Sequence, residues 1–324
     1  MADEKKVVVI GGGTGTSTVV SGLKHKPVEI TALVSVADSG GSTGRLRDEF
    51  GFQPVGDLRQ TLAALAKENG QKWIRKLLLY RFSKGEGLKG HNLGNLILTA
   101  LQDMAGSTEN ALEIAEKVFR LRGKILPITN ENVQLEIHFD DGTVLLGEHW
   151  LNQHSLGERK IKHICLKPEA SIFSKSAEAI KEADLIVIGP GDYYASLMAA
   201  LTVKGMKEAM KSSKARIVYI ANLMSRYNQT HGMTVSDHVK GIEKVLGRAC
   251  DSVVVNSHSF PKKVLKFYEK EQEFPVINDM KNDRCVETDV LAKEVSVPTN
   301  GDILERSYIR HDPKKLAEVI WSML

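Results

Sequence analysis

The sequence predicts an α/β protein on a doubly wound, mainly parallel sheet with a β-hairpin insertion, and three observations carry that expectation. Short β-branched runs recur and end at glycine or a small polar residue: "KVVVI" (6–10), "ADLIVIG" (183–189), "ARIVYIAN" (215–222) and "SVVVN" (252–256). Strands covered by helices on both faces read this way, as continuous rather than alternating apolar runs. Between them lie segments with apolar residues at three and four spacings, the helical period. Finally, strand, glycine loop, helix and second strand follow one another within about thirty residues, the span of a βαβ unit.

Taken in order, the strand at 6–10 breaks at glycine and a short helix follows over 16–24, then a strand, "EITALVSVA" (29–37). Helical periodicity marks 57–68, 72–82, 93–105 and 109–121. Strand patterns return at 124–166, where two alternating runs meet at Asp140, Asp141 and Gly142, a hairpin signal; this β-rich stretch is expected to cap or extend a sheet edge. Alternation resumes with a helix at 175–183, a strand at 183–189, a helix at 194–211, a strand at 215–222, a helix at 236–247 and a strand at 252–256. A last amphipathic helix fits 313–323. With no internal repeat or flexible linker, residues 1–324 read as one domain, and two halves sharing one sheet is the alternative.

Composition narrows the function. With 42% hydrophobic and 26% charged residues, the chain is of ordinary globular make-up. Its net charge of +4 is dispersed, with no basic block of the kind that binds nucleic acid, so an anionic small molecule is the natural partner. Cys165, Cys250 and Cys285 are far apart and outside any CxxC spacing, which indicates neither a disulfide framework nor a zinc site and fits a reducing cytoplasm. No apolar run approaches the roughly 20 residues of a membrane span, and the start shows no export signal.

The informative stretches sit where strands end. "GGGTGTST" (11–18) follows the first strand, where glycine lets backbone approach a ligand and the next helix offers free N–H groups to phosphate. It does not complete the dinucleotide pattern G-x-G-x-x-G and lacks the Walker lysine; Thr14, Thr16 and Ser17 are candidate hydroxyl donors instead. "ADSGGSTGRLR" (37–47) places Asp38 where doubly wound folds set an acid against a ribose, followed by Ser39 and Gly40. Asp38 is a candidate for ligand or metal contact, or a cap for the next turn; Arg45 and Arg47 are candidate phosphate contacts or solvated surface. In "VGDLRQ" (55–60), Asp57 reads as a helix N-cap and Arg59 as a first-turn cation that an acid or phosphate must answer. "KGHNLGN" (89–95) offers His91, Asn92 and Asn95, with Asn92 as cap or ligand. "IGPGDYYAS" (188–196) brings Gly189, Pro190, Gly191 and Ser196 to the same carboxyl-end crevice.

With these motifs in this order, together with "YRF", "ILPITNENVQL", "ANLM", "HGMTVSDHV" and "RHDPKKL", the chain resembles the gluconeogenesis factor family, the YvcK-like branch of the CofD-like superfamily, from about residue 6 to 322. The resemblance implies a Rossmann-like fold. It also implies a cytosolic protein required for growth and cell shape on gluconeogenic carbon, with a nucleotide sugar of the UDP-N-acetylglucosamine type as ligand. The superfamily's enzymatic branch, 2-phospho-L-lactate transferase, joins a phospholactyl group to a deazaflavin alcohol with a divalent metal, and the aspartate matching Asp38 binds substrate or metal there. Carried over, Gly12, Gly13, Thr14 and Gly15 with Gly189, Pro190 and Gly191 are expected to cradle phosphates, Asn222 to flank the crevice and Arg310 to neutralise a diphosphate. Two stretches depart from the family: Asp192 stands where serine is usual, and "MSRYNQTHG" (224–232) replaces a stretch commonly like "MTQPGETDG".

Two functions follow as expectations: a nucleotide-sugar sensor read out by a partner or by a homodimer, or a metal-dependent transferase acting on a nucleotide diphosphate such as GDP, with Mg²⁺ at Asp38. The absence of an evident nucleophile–base pair favours the sensor. NAD would fit the same crevice, without a hydride-transfer site.

Overall fold

The computed structural model describes residues 4–67, 72–152, 159–293 and 308–324. The chain opens with β1 (Lys5–Gly11), α1 (Gly13–Leu23), β2 (Val28–Val34), α2 (Gly41–Phe50), α3 (Gly56–Leu65), α4 (Lys72–Leu79), α5 (Leu93–Ala105) and α6 (Thr108–Phe119). It continues through β3 (Lys124–Pro127), β4 (Gln134–Phe139), β5 (Val144–Leu146), a 3₁₀ turn (Glu148–Asn152), β6 (Ile161–Lys167), α7 (Ser174–Glu182) and β7 (Leu185–Ile188). A π-helical turn (Tyr193–Met198) then passes into α8 (Ala199–Leu201), followed by α9 (Met206–Ser212), β8 (Arg216–Ile220), α10 (Tyr227–Thr230) and α11 (Val235–Leu246). The described chain closes with β9 (Ser252–Asn256), α12 (Lys262–Lys270), β10 (Cys285–Thr288) and α13 (Pro313–Trp321).

Seven strands form one sheet in the order β10-β9-β8-β7-β1-β2-β3, parallel at every pairing. The chain builds outward from β1 to β3, returns to the centre at β7 and builds the other way, the Rossmann strand order. Every residue of Val7–Ile10 and Leu185–Ile188 is buried. Successive strand residues point to opposite faces, so both faces of the sheet centre are covered. Helices α1, α3 and α13 pack together as one layer, and α7, α9 and α11 as another. Burying each such Val, Ile or Leu contributes about 1.5–3 kcal/mol, and most of the buried residues belong to one continuous cluster.

The β-rich insertion is more than the expected hairpin. β3 joins the main sheet beside β2, while β4, β5 and β6 form a separate antiparallel sheet in the order β5-β4-β6. β4 alternates between half-buried and buried, and its inward Leu135, Ile137 and Phe139 join the main core. Two further expectations change. The helix expected over 194–211 is interrupted between α8 and α9, where Gly205 takes a left-handed φ of 88°. Helix α2, read as loop, is helical although Leu46 is its one buried large apolar side chain. Residue 68, the expected end of the helix over 57–68 that corresponds to α3, lies outside the described residues. Among these residues, no helix is long and apolar enough to cross a membrane.

Candidate functional site

Between β1 and β7 the strand order reverses, and open α/β sheets bind ligands outside the carboxyl ends of strands at such a point. The loops that follow these two strands interlock there. A side chain on Gly15, at the start of α1, would collide with the carbonyl of Pro190, and one on Gly12 with the carboxylate of Asp57. Only glycine permits this approach. α1 has no side-chain N-cap and no acid of its own in its first turn, so its amino end draws negative charge from elsewhere.

Part of that charge comes from Asp57. It is the second residue of α3, whose N-cap is Val55, so the expected N-cap role is replaced: the carboxylate turns away from its own helix and accepts from the Gly13 N–H. Thr16 also differs from expectation, since it is fully buried and its hydroxyl packs beneath Gly11 rather than facing the crevice. Ser17 donates to the Gly13 carbonyl at 2.8 Å. Thr14 is exposed at the mouth.

Asp38, beyond β2, accepts from the Gly40 N–H at 2.9 Å and from the Thr43 hydroxyl; Gly40 is the N-cap of α2. Ser39 accepts from the His149 N–H at 3.1 Å, and its own N–H donates to Glu148. Four acids therefore share one recess: Asp38, Asp57, Glu148 and Asp192. Burial, then the charge of Asp38, push Asp57 up to about 8. Burial also raises Asp38. Glu148 is raised by burial and then by Asp38, Asp192 and Asp57. Arg59, 4% exposed, opposes this through its charge on both aspartates and donates to the Leu78 carbonyl at 3.3 Å.

The 89–95 turn clamps α2 from outside. His91 Nδ1 lies 3.2 Å from Ser42 Oγ, and Asn95 Nδ2 donates to Ser42 and Thr43 at 3.2 and 3.3 Å. Asn92 caps α5 by accepting from the Asn95 N–H at 3.3 Å. Burial, then Arg45, hold the His91 imidazole below its ordinary range. Arg45 is exposed and reaches the Lys89 carbonyl at 3.4 Å. These residues hold Thr43, which in turn holds Asp38.

On the far wall, Asn222 donates to the Gly191 carbonyl at 2.8 Å, fixing the loop of Gly189, Pro190 and Gly191. Ser196 is buried in the π-helical turn, against Gly12. Asp192 caps that turn, accepting from the Ala195 N–H at 3.0 Å, and also accepts from Gln229 Nε2 at 3.0 Å, with Arg226 Nε 4.0 Å away. The two sequence departures thus meet: 224–232 supplies the partners of Asp192. Arg310 stands beside His311, which bridges to Leu291 and bonds the Ala221 carbonyl at the end of β8.

Sequence reasoning missed Glu148, Arg226 and Gln229. No local motif marks them; Glu148 reaches the recess only because the three-stranded sheet ends beside α2. A cavity of about 550 Å³ opens elsewhere, near the strand starts among Lys6, Glu29, Lys124 and Lys175. Its charges answer one another, as in Lys6–Glu182 at 2.7 Å and Lys124–Glu29 at 3.1 Å, and it holds none of the glycine loops.

The recess suits a divalent cation in one respect: hard carboxylates crowd it, and burial and their mutual repulsion raise them against the charge of Arg59. Among the described residues, no three of these carboxylates bring oxygens within 4.8 Å of one another. One or two of them would therefore hold the ion, the remaining ligands being water and phosphate, as is usual for Mg²⁺. Asp38 and Asp57 are the candidates.

Fold and crevice together define a Rossmann-like α/β protein with a glycine-lined, acid-floored site at its topological switch point. Comparison with known proteins specifies the family. The family model for 2-phospho-L-lactate transferase CofD matches residues 7–296. A putative gluconeogenesis factor of Thermotoga maritima is 41% identical, over 97% of this chain and 98% of its own length. The gluconeogenesis factor of Bacillus subtilis is 38% identical over 100% and 99%. A crystal structure of a Bacillus halodurans protein superposes with a TM-score of 0.89 at 37% identity, covering 98% of this chain and all of that one. The chain belongs to the CofD family, alongside the gluconeogenesis factors.

Proposed function

We propose that the protein binds a nucleotide sugar of the UDP-N-acetylglucosamine type and acts as a regulator, a gluconeogenesis factor of the cytoplasm that supports growth and cell shape on gluconeogenic carbon. The supporting observation is the interlock of Gly12–Gly15 with Gly189–Gly191, which sets two backbone turns and one helix amino end around a single point. A diphosphate is the group that such a point suits best. Residues 1–324 act as one domain in this reading, and ligand occupancy shifts a conformational or homodimer equilibrium that a partner reads.

The acid cluster favours a second reading, a transferase of the 2-phospho-L-lactate transferase type. An acceptor hydroxyl would form a new P–O bond while the P–O bond to the departing nucleotide breaks, and the hydroxyl proton would pass to solvent water. A divalent ion at Asp38 and Asp57 would supply charge neutralisation on the diphosphate.

Calorimetric titration with UDP-N-acetylglucosamine, GDP and NAD, each with and without Mg²⁺ and followed by product analysis, separates these readings. Saturable binding of the UDP sugar without product supports the regulator. GDP binding that needs both Mg²⁺ and Asp38 supports the transferase, and failure of all three ligands sinks both.

A further inference from the structure

On the outward face of the three-stranded sheet lies a second group of chemically capable side chains, remote in sequence from every motif of the crevice. Glu136 and His138 are two apart on β4, His163 and Cys165 two apart on β6. The antiparallel register sets Glu136 opposite Cys165 and His138 opposite His163. The two-residue period puts all four on one face, with the core residues Leu135, Ile137 and Ile164 on the other.

Three donor atoms converge. His138 Nε2 is 2.8 Å from Glu136 Oε1, the Cys165 thiol donates to that same oxygen at 3.3 Å, and Cys165 Sγ lies 3.8 Å from His138 Nε2. All three side chains are half-buried, and Cys165 is a free cysteine.

We propose that Glu136, His138 and Cys165 form a binding site for a zinc-class divalent ion, with the fourth coordination position open to water. A tetrahedral zinc with ordinary bond lengths sets its ligand atoms roughly 3.4–3.6 Å apart. The S–O and S–N edges of this triangle are already within a few tenths of that, and only the N–O edge has to widen. A mixed sulfur, nitrogen and oxygen set selects zinc-like ions over Mg²⁺ or Ca²⁺.

A nucleophilic Cys–His–Glu arrangement has the same residue types but a different geometry. There the carboxylate holds the imidazole nitrogen that faces away from the thiol, whereas here Glu136 and Cys165 both meet Nε2. His163 stacks on His138, centroids 4.1 Å apart and planes at 15°. Two nearly parallel rings cannot both aim in-plane nitrogens at one ion, so His163 shields the site rather than ligating it. Lys167 Nζ, 3.8 Å from Glu136 and half-exposed, can swing into solvent and leave the donors to an ion. Val144 and Leu146, paired with His138 and Glu136, give the site an apolar border. An ion here would tie β4 to β6, just behind the turn that delivers Glu148 to the crevice.

The test uses the full chain, kept reduced with a phosphine, and Co²⁺ as an optical probe. One equivalent should give a thiolate-to-cobalt charge-transfer band that Zn²⁺ then removes. Cys165→Ser and His138→Gln should each lose the band, while Asp38→Asn and His163→Gln retain it; circular dichroism establishes that each variant is folded, and His138→Gln decides if Cys165→Ser is not. Absence of the band in the wild-type chain overturns the proposal. So does its persistence in Cys165→Ser, which would place the thiolate at Cys250 or Cys285.

Discussion

The two walls of the crevice treat aspartate in opposite ways. On the β7 side, Asp192 is satisfied: it caps a helical turn and is held by Gln229, with Arg226 alongside. On the β1 and β2 side, Asp38 and Asp57 accept mainly from neutral donors, crowd one another and hold protons above the usual carboxylate range. The first arrangement is structural, with every contact of the carboxylate made to a donor of the same wall. In the second, burial and mutual repulsion outweigh the opposing charge of Arg59, so added positive charge would stabilise it, a pattern that is common at functional sites.

The largest effect that would break this comparison is steric. Gly15→Ala drives a methyl into the Pro190 carbonyl and separates the two walls; thermal unfolding should show a loss of about 1–3 kcal/mol, the usual cost of overpacking, and nucleotide binding should vanish with it. Wild-type stability and binding would show that the walls do not need their interlock.

Removing Asp192 should cost about 1 kcal/mol, the ordinary worth of an N-cap. Pairing Asp192→Ala with Gln229→Ala should then reveal coupling of about 0.5 kcal/mol or more in a double-mutant cycle. Additive losses would mean that the two departures met by accident.

Asp57→Asn should act in the other direction. Because Asp57 is pushed up to about 8 and Asp38 is raised as well, the folded chain binds protons that the unfolded chain has already released above about pH 4. Stability without added cation must therefore fall as pH rises toward 8. His238 and His311 oppose this in acid: burial lowers each to about 4, so the unfolded chain takes up protons first and stability falls as pH drops below about 6.5. Between about pH 6.5 and 8 the raised acids of the recess, Asp38, Asp57 and Glu148, set the trend. Melting curves in that window should decline for the wild-type chain and decline less steeply for Asp57→Asn, with Mg²⁺ restoring the wild type.

How much of this was legible in the sequence follows from how local each signal is. β1, β7, β8 and β9 announce themselves because strands buried on both faces are apolar at every position. α5 was legible from its period and from Asn92, a cap that acts on its own helix. α2 was not, because Gly40, Gly41 and Gly44 read as loop and its helicity is imposed by the 89–95 clamp. For the same reason the direction of Asp57 escaped notice: a side chain that caps a neighbouring helix leaves no mark in its own. Glu148 and the pairing of Glu136 with Cys165 depend on the register of a separate sheet, which spacing along the chain does not encode.

The central claim is that the acids of the β1–β2 wall are neutralised when ligand and cation enter. Calorimetric titration of UDP-N-acetylglucosamine with Mg²⁺ near pH 7.5, repeated in buffers of different ionisation enthalpy, counts the protons that binding releases. Release approaching one proton per site in the wild-type chain, and clearly less in Asp57→Asn, is the expected result. Binding of the same strength in both, with no proton released in either, would contradict it.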